Sequence, residues 1–338
     1  DPYAFGIFGW QLFEFWPDGV NGFFQLERRL AKGIAFHLTF GWFFVINGLA
    51  YLVHLSRRGN WRTLVPDRQG LRDAPKVVFA VSSIEDCFYS MITARRIAET
   101  FNMVVVVLSD ASLATAQQPF PRPQFSADWL AAPVDQSPVP EGVKPYDWDP
   151  VTGLSRRFVP GQPNGMHTLT GLAHDTSSRV AYDPQINEQG LRSRSLKLAA
   201  LQKMLTPPQV FGEEQGDLLL IGWGSTQGAI EEAVERLTEE GHKVSSLHLT
   251  FLQPMPAGIK EVLQRFRSVM TIEANWSDSL EDELIDETNR RYSALAMLLR
   301  SRYLVDIDCW TEVSGRPIKP GTVVEVARRR LAAEESQR

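Results

Sequence analysis

Three glycines stand where the chain most resembles a phosphate-binding loop. Gly222, Gly224 and Gly228 follow a short apolar run, residues 218–221, and precede apolar residues with helical spacing. The dinucleotide-binding fingerprint needs the spacing Gly-x-Gly-x-x-Gly and an acidic residue at the end of the next strand. Here the spacing is Gly-x-Gly-x-x-x-Gly, and His248 stands where the acidic residue is needed. The pattern therefore favours a tight strand-to-helix turn that binds no nucleotide.

Two histidines lie in a long uncharged stretch near the start of the chain. Residues 33–55 contain no Asp, Glu, Lys or Arg, and a helix of this length spans about 34 Å, enough to cross a bilayer core. We therefore predict a transmembrane helix there, in preference to a buried helix of a soluble core. His37 and His54 would lie about 25 Å apart along it, so one iron cannot bind both. Each would need a histidine from another helix to bind haem b, and His37 is the better candidate because His54 lies at the helix end.

Few other residues have the types and spacing of a chemical site. Asp110 follows a run of β-branched residues, at the end of a predicted strand where α/β proteins often place functional groups, although a helix cap is the simpler interpretation. His174 and Asp175 are adjacent, which favours turn residues over metal ligands. The two cysteines, Cys87 and Cys309, are too few for a disulfide framework or a cysteine-based metal site. We predict no catalytic residue and no metal ligand.

Composition divides the chain into two unlike parts. The 338 residues carry a net charge of −5, which argues against a nucleic-acid partner. Residues 1–67 hold 16 of the 35 aromatic side chains, whereas the remainder has the composition of a soluble α/β protein. The polar residues 68–75, with Gly and Pro, are predicted to link the two parts. The chain begins with Asp1, not Met, and we expect an incomplete N-terminus.

Strand-like and helical segments alternate after residue 75, which predicts an α/β fold with mostly parallel sheets and flanking helices. Strands are predicted at 76–81, 104–108, 167–172, 218–221, 244–249, 269–272 and 303–307. Helices are predicted at 84–101, 191–205, 229–240, 259–267, 290–300 and 322–331. The first helix should begin at a serine cap and bury Phe88, Met91, Ile92 and Ile97. The proline-rich residues 117–165 should wrap a surface or a partner in an extended form.

The N-terminal stretch resembles a known membrane family. Residues 28–66, with FHLTFGWFFVINGLAYLVHL at their centre, look like one helix of the bacterial four-helix di-haem b-type cytochromes. The resemblance implies a membrane anchor through residues 33–55 and a haem ligand at His37. The other helices of that family do not occur in this sequence.

The larger part resembles a different family. Residues 76–331 are similar to the alpha subunit of 2-oxoacid:ferredoxin oxidoreductases, the 2-oxoglutarate type in particular. The phrases that carry the resemblance are VVFAVSSIEDCFYSMITARRIAETFNMVVVVLSD, GMHTLTGLAHD, LLLIGWGSTQGAIEEAVERL, KVSSLHLTFLQPMPAGIKEVLQRF and LVDIDCWTEVSGRPIKPG. They imply the C-terminal part of a thiamine-diphosphate pyrimidine-binding domain at 76–210, with a proline-rich excursion. A transketolase C-terminal-like domain is implied at 211–338.

This second resemblance implies an enzyme that oxidatively decarboxylates a 2-oxoacid with coenzyme A and passes electrons to ferredoxin. The family's Tyr-Pro-Ile-Thr-Pro and Arg-Gly-Gly-Pro-Ser-Thr-Gly phrases, which contact cofactor and substrate, do not occur here. Thiamine diphosphate, magnesium and iron–sulfur clusters are implied mainly on the beta subunit, so this chain alone should be inactive. The implied subunit contacts are Asp110 and the turn with Gly222, Gly224 and Gly228.

Two alternatives stay open at the level of sequence. The chain could be a membrane-anchored b-type cytochrome that transfers electrons and docks a partner through its α/β part. It could also be an artefactual fusion of two genes, since the composition changes abruptly at residues 67–75. We expect a cytoplasmic location for the α/β part, held at the inner membrane if residues 33–55 span it.

Overall fold

A computed structural model of the chain describes residues 4–7, 10–14 and 75–336. The chain divides into two compact units, Asp1–Ala74 and Pro75–Arg338.

The first unit contains strands β1 (Ala4–Ile7) and β2 (Trp10–Glu14), which pair antiparallel. The predicted membrane helix at 33–55, with His37 and His54, lies outside the described residues. Among the helices that are described, none is both long enough and apolar enough to cross a membrane.

The second unit alternates strands and helices along the chain. In order these are β3 (Val77–Ala80), α1 (Ile84–Phe101), β4 (Val105–Leu108), α2 (Ala111–Thr115), α3 (Pro184–Gln202), β5 (Val210–Phe211), β6 (Gly216–Gly222), α4 (Gln227–Glu239), β7 (Val244–His248), β8 (Phe251–Gln253), α5 (Ile259–Leu263), β9 (Phe266–Glu273), α6 (Ala294–Tyr303), β10 (Asp308–Thr311) and α7 (Pro320–Ser336). They form a five-stranded sheet, β10-β9-β6-β7-β5, and a three-stranded sheet, β4-β3-β8. The predicted α/β class is confirmed.

The larger sheet is parallel except for the short edge strand β5. Its centre confirms the predicted strand–helix–strand unit, because β6 and β7 run parallel and α4 connects them. Leu218 and Leu220 pack against α4 and α7, whereas Leu219 and Ile221 pack against α5 and α6. Both faces are therefore covered, which explains the uninterrupted apolar run of β6. Each such side chain contributes about 1.5–3 kcal/mol through burial.

The smaller sheet combines two distant parts of the chain. Strand β3 pairs in parallel with β4 on one side and antiparallel with β8 on the other. The rings of Phe79 and Phe251 lie 5.1 Å apart, and Ile97, Phe101 and Leu201 complete this core. As expected, α1 begins at a serine cap, since the Ser83 hydroxyl accepts a hydrogen bond from the Asp86 amide.

Three predicted elements have different bounds in the structure. Helix α5 ends at Leu263, not at residue 267, because Phe266 begins the buried strand β9. The strand predicted at 303–307 is wrong: Leu304 closes α6 in a left-handed conformation, and the strand is β10. Helix α6 begins at Ala294 instead of residue 290.

Two further predictions fail after the proline-rich region, and one fails in α1. Residues 167–172 form no strand, and the Thr168 and Leu172 amides donate to the side-chain hydroxyls of Ser178 and Thr170 instead. Helix α3 begins at Pro184 rather than at residue 191, because Asp183 caps it and proline suits the first helical turn. Phe88 and Met91 are 39% and 51% exposed, whereas Ile97 is buried. The buried stripe of α1 instead includes the small residues Ser90 and Ala94, which sequence hydrophobicity undervalues.

Candidate functional site

Asp110 connects the two sheets at the carboxyl ends of β4 and β6. Its Oδ1 accepts hydrogen bonds from the amides of Ser112 at 3.0 Å and Leu113 at 3.1 Å, so the carboxylate caps α2. Its Oδ2 accepts from the Ser225 amide at 3.0 Å. The cap interpretation is confirmed, and the third bond, between residues 115 positions apart, could not be seen in the sequence.

Two of the three glycines are required by the turn that follows β6. A Cβ atom at Gly222 would lie 2.6 Å from Thr226 Oγ1 and would also collide with the Ile230 side chain. Gly224 has φ +67°, and a Cβ atom there would lie 3.1 Å from Asp110 Oδ2. Gly228 has open space around it. The structure thus brings Asp110, Gly222 and Gly224 together, while Gly228 belongs to the start of α4.

The turn does not fit a diphosphate group. The Ser225 amide, which would face a phosphate oxygen in a glycine-rich loop, donates to the Asp110 carboxylate. A phosphate at this position would stand beside that carboxylate and be repelled by it. The residues present therefore favour a structural turn.

His248, at the end of β7, has an unusual environment. Both ring nitrogens are buried and find no hydrogen-bond partner among the described residues, although part of the side chain remains exposed. Burial lowers the pKa of His248 to about 4, and the negative charge of Asp86 opposes this shift. The imidazole is therefore neutral at neutral pH. It lines a groove of about 740 Å³ that also borders α1 and the connection between α3 and β5.

Asp86 lies in the first turn of α1, and its carboxylate accepts hydrogen bonds from Ser82 and Ser90. Its Oδ2 accepts hydrogen bonds from the Ser82 amide at 2.8 Å and the Ser82 hydroxyl at 3.3 Å, and its Oδ1 accepts from the Ser90 hydroxyl at 2.8 Å. Burial, and then the charges of Asp86 and Asp110, raise the pKa of the Cys87 thiol. A protonated thiol is a poor nucleophile. Asp86 and Cys87 therefore stabilise the start of α1 and do not form an activated nucleophile.

Glu273 is a buried carboxylate for which the sequence predicts no role. It is fully buried at the end of β9, and it accepts hydrogen bonds from the Trp223 indole at 3.3 Å and the Leu295 amide at 3.0 Å. The Ala296 amide, the Asn275 amide group and the Ser293 hydroxyl also donate to it. It therefore fixes the residue after β6 against the start of α6. An acidic residue directly after a buried strand was the available signal.

Part of the larger sheet matches a known protein family. The family described as pyruvate:ferredoxin oxidoreductase core domain II matches residues 216–309, from β6 into β10. The 2-oxoglutarate oxidoreductase subunit KorA of Mycobacterium tuberculosis is 34% identical over 249 residues, or 72% of this chain and 35% of that protein. The chain is related to the alpha subunits of 2-oxoacid:ferredoxin oxidoreductases. Subunit alpha of 2-oxoacid:ferredoxin oxidoreductase 1 from Aeropyrum pernix is 30% identical over 259 residues, or 68% of this chain and 38% of that protein.

A solved structure extends this relationship to the fold. The 2-oxoglutarate:ferredoxin oxidoreductase from Magnetococcus marinus, with 2-oxoglutarate, coenzyme A and succinyl-CoA bound, matches 76% of this chain and 42% of its own chain. The TM-score is 0.65 and the sequence identity 28%. The chain spans less than half the length of these relatives.

The second unit of the chain brings few reactive groups together. His248 is neutral, the Cys87 thiol is protonated, and the carboxylates of Asp86 and Asp110 accept bonds from the chain itself. Within the described part of the chain, no group of three His, Cys, Asp or Glu side chains could hold a metal ion. The arrangement is suited to fixing the edge of two sheets. The assignment of Asp110 and the glycine turn to subunit contacts stays a prediction, as do the haem ligands.

Proposed function

We propose that this chain works as the alpha-type part of a 2-oxoacid:ferredoxin oxidoreductase that acts on 2-oxoglutarate. The observation that carries the proposal is the 34% identity to the M. tuberculosis 2-oxoglutarate oxidoreductase subunit over 249 residues. The TM-score of 0.65 to the M. marinus enzyme supports it. The reaction would be oxidative decarboxylation of the 2-oxoacid to an acyl-CoA, with electrons passed to ferredoxin.

The cofactors of this reaction would be held mainly by a beta subunit. Thiamine diphosphate would supply the electron sink for the decarboxylation. The Ser225 amide is engaged by Asp110, which leaves the glycine turn unsuited to the diphosphate. The iron–sulfur clusters of ferredoxin-type proteins are held by four thiolate ligands, and this sequence has two cysteines. Magnesium and the clusters are therefore assigned to the partner.

The role of this chain would be to present the edge where β4 and β6 end. Asp110 and Gly224 fix the conformation of that edge, so a partner meets a preformed surface. We propose that the edge contacts the beta subunit. The free cysteines Cys87 and Cys309 are in keeping with a cytoplasmic location.

Reconstitution tests the proposed activity. The purified chain is assayed for viologen reduction with 2-oxoglutarate, coenzyme A, thiamine diphosphate and Mg²⁺, alone and with the partner subunits of the M. tuberculosis relative and the part of KorA that has no counterpart here. We expect reduction only in the full mixture, and loss of it when this chain is left out. Reduction by the chain alone would contradict the proposed division of labour. Equal activity in a mixture that lacks the chain would contradict the proposed function.

We infer a membrane-linked role for the N-terminal part from its uncharged run at residues 33–55. The expressed chain should stay in the membrane pellet after carbonate extraction, and release into the soluble fraction would argue against a spanning helix.

If two chains bind one haem b through His37, a sharp α band in the reduced-minus-oxidised spectrum should vanish in His37→Ala. Loss of the band in His54→Ala alone would identify His54 as the haem ligand.

Long sequencing reads across codons 60–80 of the source DNA separate a genuine fusion from an artefactual one.

A further inference from the structure

Lys197, on α3, is a buried cation whose hydrogen bonds are incomplete. The residue is 5% exposed, and its ammonium group donates one hydrogen bond, to the Asn102 carbonyl at 3.5 Å. An ammonium group has three donors, and a buried charge without partners is costly. Within the described part of the chain, no carboxylate forms an ion pair with Lys197. This cation therefore lacks most of the partners that its burial demands.

The buried carboxylates Glu273 and Asp278 show the contrast. Glu273 accepts hydrogen bonds from backbone amides and side chains on three sides of its carboxylate, as described above. Asp278 forms an ion pair with Arg291 at 2.8 Å. Both buried anions are thus compensated inside the protein, whereas the buried cation is not.

A second cation, Arg194, lies beside Lys197. The two residues are three positions apart on α3, so they share one face of the helix. Arg194 is half-buried and forms no hydrogen bond or ion pair with another described residue. Burial, and then the positive charge of Arg194, lower the pKa of the Lys197 ammonium. Because the two cations repel each other, an anion between them would stabilise both.

Gly190 leaves space beside the Arg194 guanidinium. It is buried, and it lies one helical turn before Arg194 on the same face of α3. Outside the backbone of the helix, a Cβ atom added at Gly190 would have one described neighbour within 4 Å, Arg194 Nη2 at 3.5 Å. The helix surface over Gly190 can therefore admit a small group next to the guanidinium.

We propose that Arg194 and Lys197 bind a phosphate group on this face of α3. The inference does not depend on the proposed function. Residues 190–202 carry three cations and no acidic side chain, in a chain with a net charge of −5, so this half of the helix attracts anions. The Arg194 guanidinium can donate two N–H groups to a phosphate, and Lys197 acts on it as a point charge. A phosphate has enough oxygen atoms to accept from both groups at once.

Equilibrium dialysis of the full chain against radiolabelled inorganic phosphate tests the site. At constant ionic strength we expect saturable binding of one phosphate per chain, and acetate at the same concentration should not displace it. Glycerol 3-phosphate is the second probe. Tighter binding of this ester than of phosphate would identify a phosphate ester as the ligand, and weaker binding would identify the free ion. Either result supports the site.

Two substitutions and a matched control locate the phosphate. Arg194→Gln and Lys197→Met should each weaken phosphate binding by at least about tenfold in Kd. Arg192→Gln removes an exposed cation from the same helix and should leave Kd unchanged. Lys197→Met should also raise the melting temperature of the phosphate-free chain, because it removes an uncompensated buried charge.

Three results would overturn the proposal. The first is the absence of saturable phosphate binding by the wild-type chain. The second is phosphate binding that survives both Arg194→Gln and Lys197→Met, which would place the ion elsewhere. The third is equal affinity for acetate, which would remove the phosphate class. If Lys197→Met fails to fold, Arg194→Gln decides the matter, since Arg194 is only half-buried.

Discussion

At the scale of single residues, Asp110 makes one hydrogen bond that no local sequence pattern predicts. Two of its three hydrogen bonds cap α2, which the chain position predicts, and the third holds the Ser225 amide of the other sheet. A sequence reading finds caps because they are local. It cannot find a bond across 115 residues.

Asp110→Asn should destabilise the fold by about 1–2 kcal/mol. Both carboxylate oxygens accept hydrogen bonds from backbone N–H groups, and the NH₂ group of asparagine would replace one acceptor with a donor. The measurement is urea unfolding. Asp183→Asn is the matched control, since Asp183 only caps α3 through the Gln185 amide and asparagine caps equally well. Equal effects of the two substitutions would mean that the bond to Ser225 contributes nothing.

The neutral His248 predicts a pH dependence of stability. Its pKa is about 4 in the fold and 6.5 as the ordinary value, so the unfolded chain binds more protons between these pH values. Stability is therefore fully present above pH 6.5 and falls as the pH drops toward 4, by up to about 3 kcal/mol. His248→Leu should flatten this part of the pH profile. His242→Gln should leave the slope unchanged, and a wild-type slope in His248→Leu would contradict the assignment.

At the scale of elements, the strand–turn–helix unit from β6 to α4 is where sequence and structure agree best. Its apolar run, its glycines and the helical spacing of Ile230, Ala233 and Leu237 are all local signals. Strand β10 was misplaced because the apolar residues near Ile307 precede it and residues 294–303 have no strong helical pattern. The turns within the proline-rich region, such as the one in which Asp149 accepts from the Thr152 amide, could not be predicted, since turns held by single side chains have no period.

The two glycines at the ends of this turn should respond in opposite ways to alanine. Gly222→Ala should destabilise by about 1–3 kcal/mol, because the added carbon meets Thr226 and Ile230. Gly228→Ala has open space, lies in a helix and should stabilise by up to about 1 kcal/mol. Thermal unfolding of both variants gives the comparison. Destabilisation by both would show that the turn needs its third glycine as well.

At the scale of the whole molecule, the three buried clusters formed by the described residues of the second unit lie within residues 77–331. A chain restricted to residues 75–338 should therefore unfold cooperatively, within a few degrees of the same transition in the full chain. Differential scanning calorimetry measures both. A broad transition without cooperativity in the shorter chain would show that the second unit depends on the first.

The connection between β7 and β8 has a consequence for how such a protein can be divided. Only Leu249 and Thr250 separate the end of a strand in the larger sheet from the start of one in the smaller sheet. The Ala80 amide donates to the Thr250 carbonyl at 2.9 Å, directly beside this crossing. A recombination event at residue 210 would hence carry β8 away from β3, together with the ring of Phe251. Exchange of either sheet alone would therefore leave the other with an open core.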